Sequence, residues 1–171
     1  MAMTEFQTVF GSLKNYEKGD IEIIDDDKKN YTFSNVFEVA SKSVPYERVV
    51  VGKNLEYVLE TIRAEGTSDW YTTSHDEFAL VMDGYVELDL VKLDNPETIA
   101  PPEKEGAVKL EGDPEGKKMG LIKMKRGHQA LLPVGAAYRF RAPDSDAVGV
   151  ILMQTCKGDE SVEKWAEICY T

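Results

Sequence analysis

The stretch GHQALLPVGAAY, residues 127–138, carries the strongest fold signal in the chain. Gly127, Pro133 and Gly135 stand in it at spacings of six and two residues. Glycine permits the positive-φ conformation of tight turns, and proline starts a strand where no ladder N–H is needed. This arrangement is typical of strands that reverse direction at the rim of a β-barrel.

A second stretch, TSHDEFALVMDG at residues 73–84, places Glu77 seven positions before Gly84. Asp83 and Gly84 lie between two strand-like runs, and Asp-Gly in that position is a strong hairpin signal. We therefore predict a hairpin at Asp83–Gly84. Acidic and apolar residues alternate along 85–93, so one face of the second strand is expected to be in water and the other packed.

Short apolar runs rich in β-branched and aromatic residues recur through the chain, with turn residues between them. They predict strands at 31–33, 47–51, 57–63, 77–82, 85–93, 120–125, 137–141 and 147–154. Residues 55–63 also fit a helical stripe, and we interpret them as a strand. Many short strands at regular spacing indicate an all-β sandwich or barrel.

The segments outside this β core differ in composition. Residues 94–118 are rich in Pro, Gly, Glu and Lys, which predicts an insertion that is either a mobile surface loop or ordered against a partner. A short C-terminal helix over about 159–169 is predicted from the apolar positions Val162, Trp165, Ile168 and Cys169, with Asp159 or Ser161 as its cap. We expect a single domain, 1–171, with an N-terminal arm of about 30 residues.

The composition excludes several classes of function. A formal charge of −11 with a pI near 4.7 disfavours nucleic acid and anionic lipid as partners. No apolar run is long enough to span a membrane, and the first residues do not resemble a signal peptide, so we expect a cytoplasmic protein. Cys156 and Cys169 are expected to be reduced thiols.

The two glycine-rich stretches resemble the paired motifs of the cupin family, whose fold is a double-stranded β-helix or jelly-roll barrel. In metal-bearing cupins, histidines and a glutamate of these motifs hold an ion such as iron or manganese. The corresponding positions in this sequence are Tyr71, Thr73, Glu77 and Tyr138, or Trp70 and Thr72 for the first pair with a longer spacing. Only Glu77 matches a ligand type, and we predict no metal in this chain.

The two histidines, His75 and His128, stand at neither set of ligand positions. We interpret His75 as a hydrogen-bonded residue near the barrel mouth and His128 as a rim or surface residue. Glu77, Tyr138, His75 and His128 remain weak catalytic candidates, because the spacing does not select them as a site. Five aromatic residues could line a pocket, although we expect them to fill the barrel instead: Trp70, Tyr71, Tyr85, Tyr138 and Phe140.

The segments 74–78 (SHDEF), 126–133 (RGHQALLP) and 158–169 (GDESVEKWAEIC) resemble the small subunit of two-subunit hydroquinone dioxygenases of bacterial aromatic degradation. The resemblance implies a supporting cupin subunit beside a larger cupin subunit that holds Fe(II), with two chains of each kind. Such complexes cleave hydroquinone with dioxygen to 4-hydroxymuconic semialdehyde in the degradation of 4-nitrophenol and related compounds. The arm, residues 94–118 and the C-terminal helix are our interface candidates.

Two other functions stay open at this point. One is a stand-alone cupin enzyme, with a metal held through Glu77 and His128 or with metal-free acid–base chemistry by Glu77 and Tyr138. The other is a cupin that binds a small molecule in an aromatic pocket without catalysis.

Overall fold

The computed structural model describes residues 10–27, 34–54, 56–143 and 147–156. Within these ranges the chain forms one short helix and a series of strands. In chain order they are α1 (Val36–Lys42), β1 (Arg48–Asn54), β2 (Tyr57–Ala64), β3 (Gly66–Thr67), β4 (Tyr71–Thr72), β5 (Glu77–Asp83), β6 (Tyr85–Leu93), β7 (Val108–Lys109), β8 (Gly116–Lys125), β9 (Gln129–Leu132), β10 (Ala136–Ala142) and β11 (Gly149–Cys156). A 3-10 turn lies at Pro96–Thr98.

The strands form two antiparallel sheets that face each other. The front sheet has the order β1-β2-β11-β5-β9, and the back sheet has the order β7-β4-β10-β6-β8. Strand β3 pairs with the end of β10. Neighbours in each sheet are mostly distant in sequence, which is the connectivity of a jelly roll.

Apolar side chains from both sheets meet in the main core. Ile62, Ala79 and Val81 project from the front sheet, and Leu88 and Phe140 project from the back sheet. Alternate residues of a strand point to opposite faces, so each strand buries every second side chain. Burial of these side chains is the dominant favourable term in holding the two sheets together.

Most of the predicted strands are confirmed. The runs at 47–51, 57–63, 77–82, 85–93, 120–125, 137–141 and 147–154 correspond to β1, β2, β5, β6, β8, β10 and β11, with shifted ends. Residues 57–64 are a strand because Val58, Glu60 and Ile62 bury their side chains at a period of two, while Tyr57 and Leu59 are exposed. Helix α1 and the short strands β3, β4, β7 and β9 were not predicted. Asn35 caps α1 by accepting a hydrogen bond from the Phe37 N–H at 2.9 Å.

The predicted hairpin at Asp83–Gly84 is wrong. The chain does turn there, but β5 belongs to the front sheet and β6 to the back sheet, so the two strands do not pair. Gly84 has φ +73°, and a Cβ at this position would lie 2.8 Å from the Val148 carbonyl oxygen. The turn is therefore a corner between sheets. The expected wet face of β6 is also partly wrong, because Asp89 is only 8% exposed beneath the side chains of Arg139 and Arg141.

Residues 94–118 follow a defined path along the barrel, unlike the mobile surface loop that was one of the two alternatives. The segment packs against the barrel of its own chain, where Ala100 and Leu110 are buried and Leu110 joins a cluster with Trp70 and Leu93. Its last residues, from Gly116, already belong to β8. A few well-placed apolar residues were sufficient to anchor a polar segment.

Several predictions fall outside the described residues. The strand at 31–33 and the C-terminal helix at 159–169 lie there entirely, and the N-terminal arm lies there in part. Within the described part of the arm, the Leu13 N–H donates to Asp83 Oδ2 at 2.7 Å, which ties the arm to the corner between the sheets. No helix in the described ranges is long and apolar enough to cross a membrane.

Candidate functional site

The residues at the cupin ligand positions are spread over both sheets. Glu77 begins β5 of the front sheet, while Tyr71 and Tyr138 lie on β4 and β10 of the back sheet. The Tyr138 hydroxyl donates to Glu77 Oε2 at 2.5 Å, and the Tyr71 and Tyr138 rings stack with centroids 6.2 Å apart. Thr73 is buried, but its hydroxyl donates to the His75 carbonyl oxygen. The structure thus brings three of the four positions together.

The guanidinium of Arg48 joins this cluster from the first position of β1. Its Nε donates to Glu60 Oε2 at 2.7 Å, its Nη1 to the Tyr138 hydroxyl at 3.0 Å and its Nη2 to Glu77 Oε1 at 3.2 Å. The planar fork of arginine suits this task because it directs several donors to different acceptors at once. We call Arg48, Glu60, Glu77 and Tyr138 the barrel ion network.

The network is removed from water. Glu60 and Glu77 have no exposed surface, Tyr138 is 1% exposed, and the Arg48 side chain is 11% exposed. A buried carboxylate without a compensating cation is strongly unfavourable. Two carboxylates are therefore tolerated inside this barrel because one guanidinium bonds both.

The electrostatics of the network raise the pKa values of Arg48 and Tyr138. Burial opposes the charge of Arg48, but Tyr138, Glu60 and Glu77 outweigh burial and raise the arginine pKa well above its usual value. Burial, together with the charge of Glu77, raises the pKa of Tyr138 well above that of a free tyrosine, although Arg48 acts in the opposite direction. Tyr138 is therefore a protonated donor, and a poor acid or base near neutral pH.

The space beside the network is almost full. Only about 10 Å³ remains between side chains that include Tyr71, Tyr138 and Phe140, which is at most the room for one water molecule. The Tyr138 and Phe140 rings contact each other edge to face, with centroids 5.7 Å apart. Two of the five aromatic candidates lie elsewhere: Trp70 packs beneath Arg139, and the Tyr85 hydroxyl donates to Glu87. An aromatic ring the size of a phenol does not fit in this barrel.

These residues do not fit a cupin metal ion. Both oxygens of Glu77 already accept hydrogen bonds, one from Arg48 and one from Tyr138. The guanidinium supplies positive charge to the carboxylates of the barrel interior, so a divalent cation would have to displace it. Across the part of the chain that the structure describes, no group of three His, Cys, Asp or Glu side chains is placed to hold a metal.

The two histidines are separate from the network. His75 Nε2 accepts a hydrogen bond from the Cys156 N–H at 3.1 Å and lies 3.0 Å from the Thr155 hydroxyl oxygen. His128 is exposed in the turn before β9, where its Nδ1 accepts from the Lys125 N–H at 2.9 Å. Each ring accepts a hydrogen bond from a backbone N–H, that of His75 from a distant strand and that of His128 within its own turn.

Arg48 and Glu60 were missed by the sequence analysis, although they are central to the network. Glu60 offered a signal, because it stands in the strand YVLETIRA at an inward position between buried residues. An acid at such a position requires a cation partner. The identity of that partner could not be read from the sequence, since it depends on how β1 pairs with β2.

Two solved structures that are similar to this chain over nearly its whole length are chains of hydroquinone 1,2-dioxygenases. A chain of hydroquinone 1,2-dioxygenase from Sphingomonas sp. TTNP3, with 4-hydroxybenzoate bound, is 57% identical; the alignment covers 96% of this chain and 98% of that one, with a TM-score of 0.87. A chain of hydroquinone 1,2-dioxygenase PnpCD, in complex with Cd²⁺ and 4-hydroxybenzonitrile, is 55% identical over 98% of this chain and 99% of that one, with a TM-score of 0.86. No protein-family model and no curated protein matches the sequence.

A second, longer chain of the same enzyme shares the fold. In PnpCD with Fe³⁺ the alignment covers 88% of this chain but only 40% of that one, at 9% identity and a TM-score of 0.57. This likeness concerns the fold alone. It shows that PnpCD contains chains of two kinds.

Two antiparallel sheets around a filled interior, with turn glycines at 84, 127 and 135, define this chain as a cupin. Two of its four ligand positions, Glu77 and Tyr138, belong to an internal ion network. In each of the two similar enzymes, one chain matches this one at 55–57% identity over nearly its whole length. The chain belongs to the hydroquinone 1,2-dioxygenase family, as a cupin-type subunit of a dioxygenase.

Proposed function

We propose that this chain is the small subunit of a two-subunit dioxygenase that cleaves hydroquinone with dioxygen to 4-hydroxymuconic semialdehyde. The reaction breaks one ring carbon–carbon bond and places both oxygen atoms in the product. In this proposal Fe(II) is held by the larger cupin subunit, two chains of each kind assemble, and the complex works in the cytoplasm on aromatic degradation.

The barrel ion network is the observation that carries the supporting role. Arg48 and Tyr138 occupy both oxygens of Glu77, and the barrel has no room for an aromatic substrate. The similar enzyme PnpCD was crystallised with Cd²⁺ and with Fe³⁺, and it contains a longer chain that shares the fold of this one. Since this chain lacks a fitting metal site in its described part, we assign the iron to that longer chain.

The task of this subunit is then to cover apolar surface of the catalytic chain and to shape the entrance to its site. A rigid barrel suits that task, because it holds its surface loops in place. The ion network contributes to the rigidity by joining β1, β2, β5 and β10 across both sheets.

The two other functions have less support from the geometry. Catalysis by Glu77 and Tyr138 requires substrate beside groups that are buried and already bonded to each other. A metal held through Glu77 and His128 would have to join a buried carboxylate to an exposed turn. Small-molecule binding in the aromatic pocket requires a volume that the barrel does not offer.

The test is hydroquinone cleavage with Fe(II), measured for this chain alone, for the larger subunit alone and for the co-expressed complex, together with iron analysis of each. We expect activity in the complex and iron in the complex and the larger subunit. Stoichiometric iron or turnover in this chain alone would overturn the proposal.

A Tyr138→Phe variant separates a structural role from a catalytic one. It keeps the ring that fills the barrel and removes only the hydroxyl that bonds Arg48 and Glu77. We expect kcat and KM of the complex to stay within about twofold of wild type, with a lower thermal midpoint. A catalytic acid or base at this position would instead show a loss of about 100-fold or more in kcat.

A further inference from the structure

The outer side of the front sheet carries an apolar surface that we call the open face. It consists of two cross-strand rows set by the strand register: Leu59, Gln154, Phe78 and Leu131 in one, and Leu152, Leu80 and Gln129 in the other. Phe78 and Leu131 are each 46% exposed, and Leu59 is 42% exposed. A shallow groove of about 310 Å³ runs between them.

The rest of the same sheet surface is already covered. Helix α1 packs over the end of the front sheet near Val150, where Phe37 and Ala40 are buried against it. The described part of the N-terminal arm adds Leu13 and Tyr16 to that cluster. Among the residues that the structure describes, none covers the open face, whereas the other half of the same sheet surface is part of a core cluster.

The outer side of the back sheet has a different composition, with charged side chains at its centre. There, Arg139 and Arg141 form ion pairs with Asp89 and Glu87 across β10 and β6. The two rows of the open face contain no charged residue, although 30% of the chain is charged. A sheet face exposed to solvent normally alternates with polar residues, so the open face has the composition of a surface that becomes buried.

The size of the open face matches a protein interface. Together with Tyr57, which is 56% exposed beside it, the three exposed side chains present roughly 350–400 Å² of surface. A standard interface buries about 800 Å² per partner, of which a little more than half is apolar. The open face would supply the apolar centre of such an interface.

We infer that the open face binds the larger cupin subunit, an inference that rests on the proposed function. A second copy of this chain is a poorer occupant, because each copy carries a formal charge of −11 and two copies repel each other. The similar enzyme PnpCD contains a longer chain that is only 9% identical to this one, so a partner that is not a copy of this chain is available. This surface was not among the interface candidates from the sequence.

The experiment compares charged variants on the two outer sheet surfaces. Phe78→Asp and Phe78→Lys place either charge at the centre of the open face, whereas Leu121→Asp and Leu121→Lys do the same on β8 at a similar exposure of 39%. Binding of each purified variant to the larger subunit is measured by titration calorimetry, and hydroquinone cleavage is measured in the reconstituted complex.

We expect both Phe78 variants to bind at least about 30-fold more weakly than wild type, and both Leu121 variants to bind within about threefold. Activity should recover when the Phe78 variants are supplied in excess, because the substitution affects assembly alone. If the wild-type chain forms the complex and the Phe78 variants bind the larger subunit just as tightly, the inference is overturned and the proposed function stays intact.

Failure of the wild-type chain to bind or activate the larger subunit would overturn both the inference and the proposed function. Light scattering and thermal unfolding of the isolated chain identify other occupants. A wild-type homodimer that Phe78→Asp dissociates would make a second copy the occupant. A monomer that Phe78→Asp destabilises by more than about 5 °C would show that residues of the same chain cover the open face. Either result contradicts the inference.

Discussion

Replacing Arg48 by methionine is the sharpest test of the barrel ion network. The side chains have similar length, so the substitution removes the charge and the donors with little change in volume. It leaves Glu60 and Glu77, both without exposed surface, near each other and without their guanidinium. Two such carboxylates cannot both remain charged in the barrel at low cost.

The magnitude follows from the protons that the folded variant must take up. Protonating a glutamate of ordinary pKa about 4.3 costs about 3.7 kcal/mol at pH 7. If the two carboxylates share one proton, Arg48→Met loses about 4 kcal/mol of unfolding free energy, and if each takes a proton the loss approaches twice that. A domain is stable by only about 5–15 kcal/mol, so the variant is close to unfolding at pH 7.

The pH dependence has a definite sign. The folded variant binds one or two more protons than the unfolded chain at neutral pH, so its stability rises as the pH falls. The gain relative to wild type is about 1.4 kcal/mol per pH unit for each proton, and it ends near the unfolded glutamate pKa. Wild type, in which Arg48 compensates the carboxylates, lacks this gain.

Urea unfolding between pH 5 and 8, followed by tryptophan fluorescence, measures this difference. Arg48→Lys keeps the positive charge but lacks the planar fork that bonds Glu60, Glu77 and Tyr138 together. Its unfolding free energy should therefore lie between those of wild type and Arg48→Met. A triple variant with Glu60→Gln and Glu77→Gln added should recover most of the loss, even where Arg48→Met does not fold at pH 7. An Arg48→Met chain within about 1 kcal/mol of wild type at pH 7, with the same pH slope, would refute the reasoning.

The corner between the sheets allows two further tests. Gly84→Ala should lower the unfolding free energy by about 2–4 kcal/mol, because Gly84 has φ +73° and an added Cβ would meet the Val148 carbonyl oxygen. Gly120→Ala places its Cβ in open space and should cost under about 1 kcal/mol. Equal thermal midpoints for the two variants would contradict this. Burial opposes ionisation of Asp83, but hydrogen bonds from backbone N–H groups and from Arg126 lower its pKa overall. Asp83→Asn should therefore be less stable than wild type above about pH 4, by roughly 1–2 kcal/mol, and the difference should vanish in acid unfolding as Asp83 protonates. A constant difference across pH would count against that account.

The ion network bears on how a cupin barrel accommodates converging carboxylates. In a metal-bearing member, charged and polar side chains converge on a cation in the barrel. In this chain a converging set of two carboxylates and a tyrosine hydroxyl is present, and the cation is the guanidinium of Arg48. A covalently attached cation does not dissociate, so the two carboxylates keep this partner at any metal concentration.

The sequence by itself determined the local features of this protein. Strand positions followed from apolar periodicity, and the glycines at 84, 127 and 135 marked positive-φ turns that the structure contains. The sequence also shows directly that Tyr71, Thr73 and Tyr138 stand at positions where metal-bearing cupins have ligands. This could be recognised because a ligand set requires particular residue types at particular spacings. The resemblance to dioxygenase small subunits was also readable, and the similarity of solved structures confirms the family.

Only the tertiary structure decided which distant residues meet. Arg48 and Tyr138 are 90 positions apart, and their contact depends on the register of several strands, each of which could pair differently at small local cost. For the same reason the Asp83–Gly84 turn was misread as a hairpin, because a turn motif does not specify the sheet that receives the next strand. The open face likewise exists only after β2, β11, β5 and β9 have aligned their outward side chains, since an apolar row across four strands has no signature along any one of them.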